Sequence, residues 1–320
     1  MRSTHLLSQR LFLLFTYWFT QSTSLLSIHK FPRKSAHKGR AYEHHHAVVS
    51  CNNQDDCILQ EPNLALQIAK KLDEGSFWST PRSTTEIVEQ LSKIVFPQED
   101  ISYAANQIQV LSEDLPLIAI HNFLSKELCE EIIHAATLNG DFVRSTLGDT
   151  QSVSNQRTSS TTWLSKEHCE IPINALCEKA SSLSGIPINN MENLQVVRYN
   201  GNGEKFDIHT DHLKAFNGLD CRGRIATCLI YLNSSKDALE DGSEEDFIGG
   251  ETCFPEYDVN VKPRCGTAVF WFNTIQRPGV EGYAPMMDLD VDLRSRHAGM
   301  PVFLGNKWVC NLWMHPVMQR

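Results

Sequence analysis

After Gly185 the chain carries five short runs suited to pleated strands. They are "LQVVRY" (194–199), "IATCLIYL" (225–232), "TAVFWF" (267–272), "MPVFL" (300–304) and "KWVCNLW" (307–313). All are rich in β-branched and aromatic residues, and Gly, Pro, Asn and Asp punctuate them. Such side chains pack well on a half-buried pleated surface and lose rotamer freedom in a helix. Gly305-Asn306, between the last two runs, reads as a hairpin turn. Upstream the texture differs. Residues 106–124 read as strand pieces broken at Pro116. Ser125 caps a helix, "KELCEEIIHAATLN", which Asn139-Gly140 ends. A second helix is expected from Ser165 to about Ser182, with Pro172 placed to split it. Helices followed by many short strands predict an α+β fold whose working part is a β-sandwich or barrel.

The N-terminal third looks different again. Arg2 and Arg10 precede the apolar run "LFLLFTYWFT" (11–20) and the small-polar "QSTS" (21–24), so 1–27 reads as a secretory signal peptide or signal-anchor. The apolar run is about ten residues, short of the roughly 20 a membrane helix needs. Membrane association is therefore expected only if this segment stays as an uncleaved anchor. Residues 28–60 are polar and His-rich ("EHHH", 43–46), a linker pattern. Residues 61–105 carry "LALQIAKKL" (64–72) and "TEIVEQLSKIV" (85–95), a helical extension expected to pack outside the main core. Domain boundaries are thus expected at 1–27, 28–60, 61–105 and 106–320. The net charge of -9 includes no basic stripe, which argues against nucleic acid. Ten cysteines agree with an oxidising compartment, the lumen of the endoplasmic reticulum and secretory pathway. No C-x-x-C pair occurs. Cys51 and Cys57 bracket a short loop, and Cys169 and Cys177 share a helix with separate partners. The pairing stays open, with buried free thiols as the alternative. The sequon Asn233-Ser234-Ser235 would be usable in that lumen.

"IHTDHL" (208–213) carries the chemistry. On a strand, His209 and Asp211 share a face and His212 points away. The pair is either a polar patch or two ligands of a metal. A non-haem iron site takes two histidines and one carboxylate, so a second histidine is needed from a neighbouring strand. His297 and His315 are the downstream candidates. Ten positions after His297, Lys307 opens a buried-looking aromatic strand. It either snorkels to the rim or meets an anion. Lys307, Val309, Asn311 and Trp313 share one face by parity, with His315 next.

The stretch from about 106 to 316 resembles the catalytic domain of prolyl 4-hydroxylases, within the iron(II)/2-oxoglutarate dioxygenases. The matching pieces are "RTSSTTWLS" (157–165), "LQVVRYN", "HTD", "RIATCLIYL", "GGETCFP" (249–255), "VKPRCGTAVFWFN" (261–273), "RHAGMPVFLGNKWV" and "LWMH". H-x-D alone is weak; H-x-D, then GGET, then His-(nine residues)-Lys is specific. The resemblance implies a double-stranded β-helix, or jelly roll, with flanking N-terminal helices. It implies Fe(II) on His209, Asp211 and His297, and 2-oxoglutarate on Lys307, Thr252 and Tyr199. It places Arg224, Trp313 and His315 where a peptide substrate is held. O2 is the other cosubstrate, and L-ascorbate is expected to rescue oxidised iron. The form is nearest to the single-chain plant and algal type, acting on peptidyl proline in proline-rich secretory proteins. The departures are an extra residue between Tyr199 and His209, Phe206 in place of a frequent tyrosine, and inserts at 233–248 and 280–293. The first insert is acidic, and reads as a solvated run or a substrate lid. The competing functions are the same chemistry on a free amino acid or another side chain, a jelly-roll binding module without catalysis, and a zinc hydrolase. The last would leave Lys307 without a purpose.

Overall fold

The computed structural model describes residues 83–112, 117–147, 152–212, 223–238, 247–276 and 289–315. Contacts divide the chain into residues 1–51 and 52–320, and all the described residues belong to the second unit. The proposed signal and linker, the helix at 64–72, Cys51, Cys57 and the centre of the acidic insert lie outside the described residues.

Helix α1 (Thr84–Val95) starts at a capping box: the Ser83 hydroxyl accepts from Glu86 N–H and the Glu86 side chain accepts from Ser83 N–H. A short α2 (Ile101–Asn106) follows, capped by Asp100. Helix α3 (Lys126–Asn139) has Ser125 as its N-cap and Gly140 in the left-handed conformation at its end. Helix α4 (Glu170–Ser184) runs unbroken. Pro172 stands in its first turn, where its missing N–H would have had no intrahelical acceptor, so it starts the helix rather than splitting it. The expected start at Ser165 is therefore five residues early, and Cys169 is at the N-cap rather than inside the helix.

The major sheet is antiparallel. Its order is β1 (Ile108–Ser112), β2 (Leu117–Ile120), β13 (Ala268–Phe272), β9 (Ala226–Tyr231), β16 (His297–Met314), β7 (Leu194–Asn200), β6 (Ser160–Leu164) and β3 (Val143–Arg144). The minor sheet is built on the first half of β16 by β8 (Glu204–His209), β10 (Phe247–Gly249) and β11 (Thr252–Phe254), with β12 (Val259–Val261) outside β11. Two small ribbons, β4 (Thr146–Leu147) with β5 (Ser152–Val153) and β14 (Thr274–Gln276) with β15 (Leu289–Val291), complete the strands. This two-sheeted antiparallel arrangement is the jelly roll.

Strand β16 corrects the expected hairpin. "MPVFL" and "KWVCNLW" belong to one strand of 18 residues, and Gly305-Asn306 is no turn. Gly305 has φ 73°, a backbone state open to glycine, at the point where the strand changes partners. Up to Gly305 the strand pairs with β8, β10 and β11; from Asn306 it pairs with β7, and from Val309 also with β9.

Side-chain alternation sorts two cores. Val197, Tyr199, Leu229, Tyr231, Val269, Trp271 and Val309 face the interior between the sheets, where Phe247, Phe254 and Val302 meet them. Their neighbours Val196, Cys228, Ile230, Phe270, Cys310 and Leu312 face the helices. Apolar partners on both faces explain why these strands read as continuous runs rather than alternating ones. Each large side chain so buried contributes on the order of 2 kcal/mol. Helix α1 is part of the second core, not an outer layer: Leu91 and Val95 are buried with Leu176 and Ile132.

The expected glycosylation site is also corrected. Asn233 is buried, its amide donating to the Asn306 carbonyl at 2.8 Å and its oxygen accepting from Trp308 N–H at 2.8 Å. A glycan on that nitrogen is incompatible with this fold.

Candidate active site

His209, Asp211 and His297 converge. One ligand atom from each lies within 4.8 Å of the others. Asp211 Oδ1 is 3.5 Å from His209 Nε2 and 3.7 Å from His297 Nε2. His209 ends β8 and His297 opens β16, and the two are paired across the minor sheet. Strand alternation does not place Asp211, as the sequence reading assumed. Strand β8 stops at His209, and the turn after it swings the carboxylate back. His212 is buried too and lines the same cleft, but it is not in the triad.

The surroundings prepare all three groups as ligands. His209 Nδ1 lies 2.8 Å from the Asp207 carbonyl, and His297 Nδ1 lies 2.9 Å from that of Ser295. A carbonyl only accepts, so each Nδ1 carries the proton and each Nε2 presents a lone pair to the shared point. Burial, with His209 alongside, pushes the His297 imidazole down to about 4, so it is neutral at physiological pH. Burial alone would raise the Asp211 carboxyl, but His297, His209 and Arg224 outweigh it and hold it well below the usual carboxylate range. Phe206 stacks on the His209 ring at 3.5 Å and fixes its plane. Two imidazoles and one carboxylate on one side of a common point suit ferrous iron.

Sequence reasoning missed the support behind Asp211. Its Oδ2 accepts from the Thr227 hydroxyl at 2.7 Å. Thr227 accepts from Asn273 Nδ2 at 2.8 Å, and Asn273 Oδ1 accepts from Trp271 Nε1 at 2.8 Å. All three supporting residues are fully buried. Thr227→Val keeps the shape but removes the donor and orphans the asparagine amide. Titration with Mn(II) in a calorimeter is expected to show affinity falling roughly 10- to 100-fold; unchanged affinity would remove this chain from the account of the site.

Deeper between the sheets, Lys307 is 2 % exposed. Its ammonium donates to the Gly250 carbonyl at 2.7 Å and lies 5.1 and 5.4 Å from the Tyr199 and Tyr231 rings. Among the described residues it has no ion-pair partner. Burial pushes it down to about 7, which Glu251 partly opposes. The Gly249-Gly250 pair is explained here: Gly250 has φ 76°, and a Cβ on it would lie 2.9 Å from Lys307 Cδ. Tyr199 stands opposite Lys307 in the β16–β7 register, and its phenol is held by Ser159. The Thr252 hydroxyl accepts from Tyr231 OH at 2.6 Å, a partner the sequence reading did not name.

Arg224 and His315 meet on one acid that was also missed, Glu192. Arg224 makes a two-pronged contact with it, Nε to Oε1 at 2.6 Å and Nη2 to Oε2 at 2.9 Å. His315 Nε2 reaches Oε1 at 2.6 Å, which assigns His315 here rather than to the metal. The Arg224 guanidinium lies 3.4 Å above the Trp313 ring. Arg224 and Trp313 border a cleft of about 430 Å³ that opens onto His209 and Asp211 and is also lined by Arg157 and Phe206. Arg157 is buried, donates to Gln195 Oε1 at 3.0 Å and covers the Phe206 ring at 4.6 Å.

The fold and this site define an Fe(II)- and 2-oxoglutarate-dependent dioxygenase. Residues 194–315, which include the triad and Lys307, match the family described as the 2OG-Fe(II) oxygenase superfamily. Prolyl 4-hydroxylase 5 of Arabidopsis thaliana is 33% identical over 226 residues, covering 65% of this chain and 71% of that one. Human prolyl 4-hydroxylase subunit alpha-1 is 31% identical over 211 residues, 62% of this chain but 34% of its own length. A solved viral collagen prolyl hydroxylase from Paramecium bursaria Chlorella virus-1, in its 2-oxoglutarate complex, aligns with a TM-score of 0.47 at 26% identity, over 62% of this chain and 95% of that one. The chain belongs to the prolyl 4-hydroxylase family.

Proposed function

We propose that this enzyme hydroxylates peptidyl proline in an extended, proline-rich protein segment within the lumen of the secretory pathway, with ascorbate keeping the iron ferrous. The observation that carries the substrate reading is the cleft beside the triad. Its wall is a Trp313–Arg224 stack, and Trp313 Nε1 is buried with no hydrogen-bond partner among the described residues. A polyproline II segment has free carbonyls and no internal hydrogen bonds, so it brings an acceptor to that N–H. Glu192 keeps the Arg224 guanidinium flat against the indole. The apolar run at 11–20 and the ten cysteines support the compartment.

When bound, Fe(II), 2-oxoglutarate and O2 supply the oxidising chemistry that inserts oxygen into a C–H bond. The chain's part is geometric. His209, Asp211 and His297 would hold the metal and leave room beside them for the cosubstrates. Lys307, the Thr252 hydroxyl and the Tyr199 phenol receive the far carboxylate of 2-oxoglutarate, which needs a fixed cation and hydrogen bonds to leave water. The walls around Trp313 set which C–H bond faces the metal and exclude bulk solvent.

Incubation with Fe(II), 2-oxoglutarate, ascorbate and a poly-proline peptide is expected to add the mass of one oxygen atom to proline, with CO2 released in step. Free proline is expected to turn over poorly. CO2 release without peptide hydroxylation would leave the dioxygenase standing and remove the substrate reading.

The lysine also sets a pH dependence. Free enzyme loses the Lys307 proton near pH 7, and the bound carboxylate favours the charged form, so binding raises its pKa. Below about pH 7 the ammonium is already present and 2-oxoglutarate Kd should be flat. Above it each pH unit costs one proton of uptake, so Kd should rise about tenfold per unit. Calorimetry in buffers of different ionisation enthalpy reads that proton directly; a Kd constant from pH 6 to 9 would contradict it.

A further inference from the structure

Seven cysteines lie among the described residues, and none of them is in a disulfide. Two of them meet where the helix layer joins the sheet. Cys129 stands one turn into α3 and is fully buried. Its sulfur is in hydrogen-bonding range of both the Cys265 thiol and the Gly266 backbone N–H. Cys265 occupies the turn leading into β13, is only partly buried, and donates its thiol proton to the Leu232 carbonyl at 3.3 Å.

The two backbones are fastened beside the sulfurs. Leu124 N–H donates to the Gly266 carbonyl at 3.1 Å, and a Cβ on Gly266 would come within 2.1 Å of the Leu124 carbonyl oxygen. The turn is pinned from the other side by Cys265 N–H on Ser234 Oγ at 2.9 Å and Gly266 N–H on the Tyr231 carbonyl at 2.9 Å. Bridging therefore asks for side-chain rotation on segments already docked together, the condition a disulfide's narrow geometry imposes. Among the described residues no cysteine belongs to a group placed to hold a metal ion, so the pair is not half of a metal site.

We propose that Cys129 and Cys265 are a disulfide-forming pair, closed by an oxidant of the glutathione-disulfide class into a staple between α3 and the turn before β13. The partly exposed Cys265 attacks first as its thiolate. One S–S bond of the oxidant breaks, one glutathione leaves, and a mixed disulfide forms on Cys265. The Cys129 thiolate then attacks the Cys265 sulfur and displaces the second glutathione. Two protein thiols lose two electrons and two protons, and the oxidant becomes two glutathione thiols. Contact with Cys265 and burial both hold the Cys129 thiol above its ordinary range. The second step therefore runs slowly in the closed fold and quickly while α3 docks.

The test uses the full chain, reduced and then either treated with glutathione disulfide when folded or refolded in its presence. Free thiols are alkylated before intact-mass and peptide analysis. Loss of two hydrogens and a linked peptide pair containing Cys129 and Cys265 are expected, with Tm about 5 °C or more above the reduced protein, since the closed loop is long. Cys265→Ser, at a partly exposed position, should remove the link and the Tm gain, whereas Cys253→Ser should leave both. Circular dichroism confirms that each variant folds. Glutathione stopping at Cys265 without a link, linkage of other cysteines, or alkylation of Cys129 and Cys265 after oxidative refolding would each overturn the proposal.

Discussion

Replacing His297 with alanine should reduce 2-oxoglutarate decarboxylation below detection, a loss of more than about 10³-fold, because the iron is no longer held. The three donors act as a set. With the imidazole gone, Asp211 keeps its neighbour His209 and its Thr227 hydrogen bond, but the site has two protein ligands. Mn(II) affinity measured by calorimetry should fall at least about 100-fold, which separates lost metal from lost chemistry. A structural cost comes with it, since the ring is buried beside Trp271 at 4.7 Å and Phe254 at 5.5 Å. His297→Gln fills that space, keeps a polar tip near the Ser295 carbonyl and should still fail to turn over. Turnover within a few-fold of normal in a folded His297→Gln protein would mean that the metal is held elsewhere.

Lys307→Ala should act on a different quantity. Removing the cation leaves the far carboxylate of 2-oxoglutarate in a dry pocket with only hydroxyl partners. A charge so orphaned costs about 2–5 kcal/mol, so the KM for 2-oxoglutarate should rise on the order of 100-fold or more. At saturating cosubstrate kcat should recover much of its value, and Mn(II) affinity should not change. Stability gives an independent reading. In the free enzyme the ammonium is buried with no ion pair among the described residues, so an apolar side chain of similar length removes a desolvation cost. Lys307→Met should melt no lower than the parent without 2-oxoglutarate, and should lose most of the Tm gain on adding it. A KM unchanged in both variants would show that the carboxylate binds elsewhere.

The sequence exposed the parts of this site that depend on rare residue types. Histidines and an aspartate beside strand runs, and a lysine opening an aromatic strand, carry chemistry that few other roles explain; the first three converge, and the lysine is buried between the sheets. The groups that orient them were not legible. Glu192 lies 32 positions before Arg224, in a link between a short helical turn and β7, where no periodicity marks it. Thr227 and Asn273 are ordinary strand residues until the β13–β9 pairing brings them together. The fold class was readable from the run of aromatic and β-branched segments. The misread hairpin had a local cause: Gly-Asn is a strong turn signal, and only long-range pairing reveals that the glycine lets a strand cross from one sheet to the other. Helix α1 is expected outside the main core because its apolar stripe is short, yet Leu91 and Val95 lock it against α4.

That crossing strand has a consequence for how such an enzyme tolerates change. One ribbon carries His297 of the triad at its start, the lysine proposed to meet the cosubstrate in its second half and the indole of the proposed substrate wall near its end. The spacings between three chemical tasks are thus written in a single stretch of backbone, like marks on a ruler. Adding or removing one residue after Gly305 would turn Lys307 toward the helices and bring Trp308 inward, undoing cosubstrate and substrate recognition together. Length variation is free to collect in the connections elsewhere, where the two inserts in fact stand, while this segment keeps its count.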